Sequence, residues 1–276
     1  MDLSNQAVCH IKKEKIEYLQ FRKLLEYPEL VHCYTLRAKD VNFRAKPDYS
    51  DIDHLLKEYE KINEALRIPN NSIIRPKQTH TDQIKVICKK RNLYKPDINV
   101  KELFDIDGLI TDKKEFALSL SYADCTPLLF YDPVKKVIAN THSGWRGTIQ
   151  KIGLKTVHKM QKEFLSDPKD IICCIGPCIK QCHFEVEKEV KEKFEETFEE
   201  EIRKDCIQSY RTDEKGVEKF LIDTTKINQR ILEKAGLKVE NIIDSGICTV
   251  CHSDVIHSYR ADREKSGRNI AIMMLK

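Results

Sequence analysis

Short apolar runs recur along the 276-residue chain, and their order constrains the fold more than any other feature. The runs that predict β-strands cover Val31–Ala38, Ile84–Cys88, Phe116–Ser121, Leu128–Tyr131, Val137–Thr141, Ile171–Ile175, Asn241–Ser245 and Ile270–Leu275. Segments at helical spacing cover Asp51–Leu66, Thr148–Phe164, Glu185–Arg203 and Asp223–Ala235. Because strands and helices do not alternate strictly, the pattern favours an α+β fold over a mixed sheet. We find no repeat or low-complexity linker, and we expect one domain over residues 1–276.

The composition excludes several classes of protein. Hydrophobic residues make up 41% of the chain and glycine and proline only 9 residues each, which excludes collagen-like, disordered and coiled-coil proteins. The 48 Lys and Arg residues exceed the 44 Asp and Glu residues by +4, a surplus too small to predict nucleic-acid binding. A local basic pocket for an anion remains compatible with this charge.

The N-terminal segment predicts the cellular compartment. Residues 1–15 contain no apolar core of the kind found in secretory signals, and no apolar run approaches the roughly 18 residues of a membrane span. We therefore expect a cytoplasmic protein with no membrane partner. In that compartment the 11 cysteines are expected to be reduced, as core thiols, metal ligands or catalytic groups.

Three polar segments beside predicted strands carry side chains that bind metals. The segments QTHTD, ADCTP and THSGWRG supply His80, Cys125 and His142. Two imidazoles and one thiolate make a three-ligand zinc site whose fourth position stays open for water or substrate, as in catalytic sites. Such a zinc ion would hold Cys125 as a thiolate and acidify a bound water. The spacing leaves two alternatives open: a buried cysteine with two hydrogen-bonded histidines, or a Cys–His nucleophile pair without metal.

Two segments are candidates for anion binding. Arg146 precedes a predicted helix start at Gly147, where backbone N–H groups and a guanidinium could hold phosphate or carboxylate; the alternative is a surface arginine. Trp145 could stack on an aromatic ligand or pack in the core. The second candidate is SYRADREKSGR, where Arg260 is the first of three arginines close to a glycine turn, and surface charge is again the alternative.

Two cysteine patterns have competing interpretations. The segment CTVCH matches the c-type haem attachment pattern, but that attachment follows export, for which the sequence carries no signal. A structural zinc site is the other interpretation of this segment, with ligands drawn from Cys248, Cys251, His252 or His257. A second group fits neither ferredoxin nor zinc-knuckle spacing, so free thiols are expected at Cys173, Cys174, Cys178 and Cys182, with His183 beside them.

Six motifs together resemble one known family. They are QTHTD (78–82), DGLIT (107–111), ADCTPLLFYDP (123–133), ANTHSGWRGT (139–148), IGPCIKQCHFEV (175–186) and SYRADREKSGR (258–268). In this order they are similar to the YfiH family, also called the multicopper polyphenol oxidoreductase, laccase-domain or purine nucleoside phosphorylase family. The resemblance runs from about residue 31 to residue 276.

The resemblance implies a fold, a metal site and an activity. The fold is an α/β/β/α layered sandwich with mixed β-sheets, and the zinc ligands fall on His80, Cys125 and His142. Members of the family cleave adenosine, inosine and methylthioadenosine with phosphate, and they deaminate adenosine. Earlier naming invoked copper-dependent phenol oxidation, and one bacterial branch is linked to cell-wall precursors. The implied ligands are a purine nucleoside, phosphate and Zn²⁺, with Cu²⁺ as the alternative metal, in a monomer or weak homodimer.

Residue roles follow from these interpretations. The predicted catalytic residues are Cys125, His80, His142, Asp124 and Arg146, with Asp124 as the nearest carboxylate for proton transfer. The predicted substrate-binding or phosphate-binding residues are Arg146, Arg260, Trp145 and Tyr259. The runner-up function is a cysteine hydrolase that cleaves an amide in a peptide-like cell-wall precursor, with Cys125 as nucleophile. A copper-dependent polyphenol oxidase is the third possibility, although nine histidines and no His-x-His pair argue against a bridged copper centre.

Overall fold

The structure, a computed structural model, describes residues 1–46, 51–88 and 103–276. Its strands are β1 (Val8–Lys12), β2 (Glu17–Phe21), β3 (Leu30–Thr35), β4 (Ile73–Ile74), β5 (Ile84–Val86), β6 (Gly108–Thr111), β7 (Ala117–Tyr122), β8 (Thr126–Asp132), β9 (Val137–Ser143), β10 (Ile172–Ile175), β11 (Glu185–Glu187), β12 (Ile207–Thr212), β13 (Glu218–Ile222), β14 (Ile242–Asp244) and β15 (Asn269–Leu275). Its helices are α1 (Arg22–Leu25), α2 (Ile52–Leu66), α3 (Trp145–Ile149), α4 (Ile152–Phe164), α5 (Lys188–Thr197), α6 (Glu200–Arg203), α7 (Thr224–Lys234) and α8 (Tyr259–Asp262).

Two large mixed sheets and one small sheet organise these strands. Sheet A has the order β1-β2-β3-β15-β7-β4, and sheet B has the order β14-β10-β8-β9-β6-β5. In sheet A, β15 pairs antiparallel with β3 and β7, whereas β4 pairs parallel with β7. In sheet B, β8 pairs antiparallel with β9, whereas β5 pairs parallel with β6. The small sheet, β11-β13-β12, is antiparallel. The predicted mixed-sheet α+β fold is confirmed.

Four layers account for the apolar residues that the two large sheets bury. One core cluster joins the inner faces of sheets A and B, for example through Leu120 of β7 and Leu129 of β8. A second cluster packs the outer face of sheet A against Tyr59 of α2. A third packs the outer face of sheet B against Met160 of α4 and Leu232 of α7. The layers therefore run α/β/β/α, as the resemblance implied.

Burial on both faces explains why the central strands read as continuous apolar runs. Every residue of β8 and of β9 is buried. Asn140 of β9 is a polar exception between the two sheets. Its Nδ2 donates to Leu118 O at 3.1 Å and to Ala271 O at 2.8 Å, and its Oδ1 accepts from the Tyr122 hydroxyl at 2.7 Å. These bonds satisfy a buried amide and fix the position of sheet A against sheet B.

Two predicted helices differ from the structure. The helix predicted over Thr148–Phe164 is two helices, α3 and α4, because Lys151 adopts a left-handed backbone with φ 57°. The single helix predicted over Glu185–Arg203 is wrong. Its first residues form β11, where buried Val186 lies between exposed or half-buried glutamates and pairs with β13, and α5 and α6 follow. Charge-rich sequence at mixed spacing concealed this change from strand to helix.

The other predicted elements lie close to their observed bounds. The helix predicted over Asp223–Ala235 is α7, and the Asp223 side chain caps it by accepting the Lys226 N–H at 2.9 Å. The sequence did not predict β1, β2, β4, β6, β12 or β13. In the described ranges, no helix combines the length and apolar character that crossing a bilayer requires.

Candidate active site

Loops at one end of the two large sheets enclose a cavity of about 390 Å³. This volume falls in the range of about 300–1,000 Å³ typical of small-molecule sites. The turn between β7 and β8, the start of α3 and the segment that leads into β15 all contribute to its wall. The ends of rigid buried strands therefore position the side chains that line it.

His80, Cys125 and His142 meet in this cavity. His142 lies near the end of β9, Cys125 comes directly before β8, and His80 lies in the loop between β4 and β5. One ligand atom from each residue lies within 4.8 Å of the others. The two imidazole rings meet edge to face with centroids 5.0 Å apart. Pro127 pairs with His142 across β8 and β9, so strand register holds Cys125 beside His142. This arrangement of two nitrogens and one sulfur could hold a divalent metal ion.

Asp107 is the site residue that the sequence interpretation missed. It is fully buried directly before β6, and its Oδ1 lies 2.8 Å from His142 Nδ1. An ionised carboxylate only accepts hydrogen bonds, so His142 donates through Nδ1 and directs Nε2 toward Cys125. A carboxylate behind a histidine in this way is the usual support of a metal ligand. The DGLIT motif carries this residue, but its role shows only when β6 pairs with β9.

The same carboxylate shapes the loop that carries His80. Consecutive backbone N–H groups of Thr79, His80 and Thr81 donate to the Asp107 carboxylate at 3.2, 3.1 and 2.8 Å. His80 has φ 66°, a left-handed conformation that is unfavourable for a residue with a β-carbon. Convergence of three N–H groups on one buried anion compensates for this conformation. Asp107 thus orients both histidines at once.

The charges at the site reinforce one another. Burial alone would raise the pKa of the Cys125 thiol, but the neighbouring charge of His142 and hydrogen bonds from His142 and His80 lower it to about 6. Burial would lower the pKa of His142, but the charge of Cys125 and the hydrogen bond to Asp107 raise it. Burial would likewise raise the pKa of Asp107, and its bond to His142 lowers it. Cys125 is therefore disposed to be a thiolate, the form that binds metals and attacks electrophiles.

A glycine next to the cluster leaves the space that it needs. A β-carbon at Gly144 would lie 3.0 Å from Cys125 Sγ and 3.1 Å from His80 Cδ2. Contacts this short force the neighbouring atoms to move. Gly144 also precedes α3, so the backbone turns from β9 into the helix directly over the cluster.

Asp124 and Arg260 line the cavity and are joined to each other. Asp124 Oδ1 accepts from the Thr249 hydroxyl at 2.6 Å, and Oδ2 accepts from the Arg260 N–H at 2.6 Å. The Arg260 guanidinium donates through Nη1 to His183 O at 2.7 Å and through Nη2 to Glu185 O at 3.1 Å. Both oxygens of the predicted proton carrier are thus engaged, and both terminal nitrogens of Arg260 bind backbone.

Trp145, Tyr259 and Arg268 also line the cavity. The Tyr259 hydroxyl donates to Glu264 Oε1 at 2.7 Å. Arg268 donates through Nη1 to Gly267 O at 2.8 Å; among the hydrogen bonds of the described ranges, its Nε and Nη2 groups have no protein acceptor. Arg268 belongs to the three arginines noticed in the sequence, but only the fold distinguishes it from its neighbours. It is the lining cation best suited to bind an anion.

The structure places Arg146 differently from the prediction. Arg146 is exposed, and it is not among the described residues that line the cavity. Its guanidinium lies 4.3 Å from the centroid of the Trp145 ring. The helix start predicted at Gly147 lies two residues too late, because α3 begins at Trp145 and the Thr148 N–H donates within the helix to Gly144 O at 2.8 Å; phosphate binding by Arg146 stays a prediction. An N–H group bonded within a helix is not available to a ligand.

Comparisons with known proteins agree with this architecture. Residues 42–276 match a family model described as "Multi-copper polyphenol oxidoreductase laccase". A purine nucleoside phosphorylase of Bacteroides thetaiotaomicron is 31% identical over 273 residues, which cover 96% of this chain and 98% of the relative. One from Clostridium acetobutylicum is 36% identical over 201 residues, covering 72% and 75%.

Solved structures show the same fold. The YfiH protein of Bacillus licheniformis superimposes with a TM-score of 0.85 at 24% identity, over 97% of this chain and 99% of that one. The YlmD protein of Geobacillus stearothermophilus gives a TM-score of 0.81 at 22% identity, over 100% of both chains.

Proposed function

The chain belongs to the multi-copper polyphenol oxidoreductase laccase family, and on that premise we propose that it is a zinc-dependent purine nucleoside phosphorylase. The observation that carries the proposal is the cluster of His80, Cys125 and His142 in a cavity lined by arginine. The substrate class comes from the relatives, which are named purine nucleoside phosphorylases.

The donor set fits zinc. Two imidazole nitrogens and one thiolate sulfur are common zinc ligands, and three protein ligands leave one position for substrate or water. Asp107 holds His142 in the tautomer whose Nε2 is free to bind a metal. The protein therefore orients this ligand without help from the metal. When bound, Zn²⁺ supplies a Lewis acid that polarises a substrate oxygen or nitrogen.

Copper is the alternative metal, since thiolate and imidazole also bind it. A bridged copper centre of the oxidase type uses many imidazoles in one place. Within the described ranges, the two groups of potential metal ligands contain only His80 and His142 in one and His183 in the other. The donor set of His80, Cys125 and His142 therefore favours a site for one zinc ion over the bridged copper centre of an oxidase.

Phosphorolysis requires the protein to hold the phosphate anion beside the neutral ribose. A phosphate oxygen bonds to C1′ of the ribose while the bond from C1′ to the purine nitrogen breaks, and its electron pair leaves with the base, which takes up a proton. We assign phosphate binding to Arg268, whose Nε and Nη2 donors remain available. Phe184 and Ile179 supply apolar wall against the base and exclude water. Burial of the site strengthens the attraction between arginine and phosphate.

Adenosine deamination is the second reaction that we propose to test at the same site. It needs a group that carries a proton to the leaving amine. Asp124 was the predicted carrier, and both of its oxygens already accept hydrogen bonds from Thr249 and Arg260. We therefore place phosphorolysis ahead of deamination.

The test is product analysis with metal-analysed protein and adenosine, with and without phosphate. Adenine and ribose 1-phosphate formed only in the presence of phosphate support phosphorolysis, whereas inosine formed in either buffer indicates deamination. Cys125→Ser should lose the activity and the metal held by His80, Cys125 and His142. Cys88→Ser, at an exposed cysteine outside the cluster, is the matched control and should keep both. Zinc-loaded protein that leaves adenosine, inosine and methylthioadenosine unchanged would overturn the proposal.

One observation favours a different reaction, a cysteine hydrolase. Cys125, His142 and Asp107 form a chain in which an acid orients a base and the base faces a thiol with a lowered pKa. This order of groups is the general arrangement of an activated nucleophile. Metal-free protein incubated with a reactive ester separates the two functions. A stable acyl group on Cys125, found by mass spectrometry, would support the hydrolase, and its absence together with phosphate-dependent adenine release would support the phosphorylase.

A further inference from the structure

A second cluster of metal-binding side chains lies apart from His80, Cys125 and His142. It consists of Cys182, His183, Cys248 and Cys251, and their ligand atoms all lie within 4.8 Å of one another. The sulfurs of Cys182 and Cys251 are 3.8 Å apart. His183 Nδ1 lies 3.2 Å from the sulfur of Cys182, 3.7 Å from that of Cys248 and 3.5 Å from that of Cys251.

Three of these four distances lie within about 0.2 Å of the edges of a tetrahedron around zinc, and the separation of 3.2 Å between His183 and Cys182 is about 0.3 Å shorter. With bonds of about 2.3 Å to sulfur and about 2.0 Å to nitrogen, tetrahedral ligands lie about 3.8 Å apart for two sulfurs and about 3.5 Å apart for sulfur and nitrogen. A disulfide needs sulfurs about 2.05 Å apart. The separation of 3.8 Å between Cys182 and Cys251 therefore fits shared ligation and not a covalent bond.

We propose that Cys182, His183, Cys248 and Cys251 bind a structural Zn²⁺ ion in a closed Cys₃His site. Four protein ligands leave no open position, in contrast to the three-ligand cluster in the cavity. On binding, the three thiols release their protons to the solvent and His183 ligates as neutral imidazole through Nδ1, so no oxidant or reductant takes part. His252 and His257, considered as ligands from the sequence, are not members of the cluster. The Nε2 of His257 instead lies 2.8 Å from Val41 O.

The fold brings the two ligand-bearing loops together independently of any metal. Cys178 and Cys248 form a parallel β-bridge, and the Thr249 N–H donates to Cys178 O at 3.0 Å. Cys248 is buried while Cys182 and Cys251 are exposed, so the site is anchored inside and open to incoming metal outside.

The proposed zinc site would hold the residues of one cavity wall in fixed positions. His183 O accepts a hydrogen bond from Arg260, and the next residue, Phe184, lines the cavity. On the other loop, the Thr249 hydroxyl binds Asp124 at 2.6 Å. A metal that joins the two loops would fix these three lining residues relative to one another.

Zinc content of matched variants tests the proposal. Protein purified under reducing conditions is loaded with Zn²⁺, freed of excess metal and analysed for zinc per chain. We expect Cys251→Ser to hold about one zinc ion fewer per chain than the wild type, and the exposed control Cys88→Ser to match the wild type. Cys125→Ser acts on the other cluster, and combining it with Cys251→Ser should remove the zinc of both. The expected difference in zinc content between Cys251→Ser and the wild type does not depend on whether the cavity binds metal or whether the protein cleaves nucleosides. Equal zinc in Cys251→Ser and Cys88→Ser would overturn the proposal.

Thiol footprinting of the wild-type protein gives a second readout that does not depend on a variant folding. Cys182, Cys251 and Cys88 are all exposed, so a thiol-alkylating reagent should label all three in chelator-treated, reduced protein. With Zn²⁺ bound, we expect labelling of Cys182 and Cys251 to slow at least about tenfold while Cys88 stays reactive. Equal labelling of the three with Zn²⁺ present would contradict the site. So would a Cys182–Cys251 disulfide that persists in reduced protein, detected as a crosslinked peptide.

Discussion

Replacing Asp107 with asparagine is the sharpest test of how the candidate active site is built. Asp107 Oδ1 accepts from the His80 N–H and from His142 Nδ1, and Oδ2 accepts from the backbone of Thr79 and from the N–H and hydroxyl of Thr81. Asparagine keeps the shape but replaces one oxygen with an NH₂ group. In either orientation, that group faces at least two donors instead of accepting from them.

The magnitude follows from the number of bonds that are lost. A hydrogen bond to a charged group contributes about 1.5–3 kcal/mol, so the loss of two costs about 3–6 kcal/mol of folding free energy. Removing the carboxylate behind a ligating histidine typically weakens metal binding 10–100-fold, which is about 1.4–2.7 kcal/mol. We therefore expect Asp107→Asn to be destabilised and to bind zinc at least about tenfold more weakly.

The assay is competition for zinc with a coloured chelator, together with urea unfolding of the metal-free protein. Asp132→Asn is the matched control, because Asp132 is also fully buried and accepts backbone N–H groups from Val134 and Lys135 through Oδ1, while its Oδ2 has no partner. An asparagine there can keep both bonds. Asp132 lies at the far end of β8, about 20 Å along the strand from the cluster. Equal zinc affinities for Asp107→Asn and Asp132→Asn would refute the role given to Asp107.

Three further substitutions give independent tests. Gly144→Ala places a methyl carbon 3.0 Å from Cys125 Sγ, so zinc affinity should fall about tenfold in the same competition assay. An unchanged affinity would show that the neighbouring atoms move aside without disturbing the metal ligands. His32 Nε2 accepts the Phe21 N–H at 2.8 Å, and burial lowers the pKa of His32 from 6.5 to about 3. Stability from the neutral ring is thus present above pH 6.5 and is lost as the pH falls toward 3. His32→Gln should therefore reduce the slope of unfolding free energy against pH, measured by urea unfolding, by about 1.4 kcal/mol per pH unit in that window. Parallel pH profiles for His32→Gln and the wild type would contradict this. Under the proposed function, Arg268→Gln should raise the KM for phosphate about tenfold in steady-state kinetics with a smaller effect on the nucleoside; equal effects on both substrates would count against phosphate binding there.

The family and fold class could be predicted because the necessary signals are local. The buried strands are rich in apolar residues, as in Leu128–Tyr131, and the motifs beside the strands carry the resemblance that the family match confirms. His80, Cys125 and His142 could be chosen because few residue types bind zinc and all three occur in polar segments next to strands.

What the sequence concealed depends on contacts between distant segments. Asp107 matters only because pairing of β6 with β9 brings it to His142, 35 positions later. Cys182 and Cys251 are 69 positions apart and lie together because a β-bridge between Cys178 and Cys248 joins their loops. No periodic pattern in the sequence predicts such a bridge. Arg146 and Arg268 have the same side chain, and only the fold places one on the surface and the other in the cavity wall.

The position of β15 affects how the protein is made in the cell. This strand lies between β3 and β7 and is buried along its whole length, and the Ile270 N–H reaches Thr35, 235 residues earlier. At a translation rate of about 5–20 residues per second, β3 leaves the ribosome some 10–50 s before its partner is synthesised. Throughout that interval the nascent chain presents unpaired strand edges that invite association with other chains. Productive biogenesis therefore requires these edges to be shielded until residue 275 emerges.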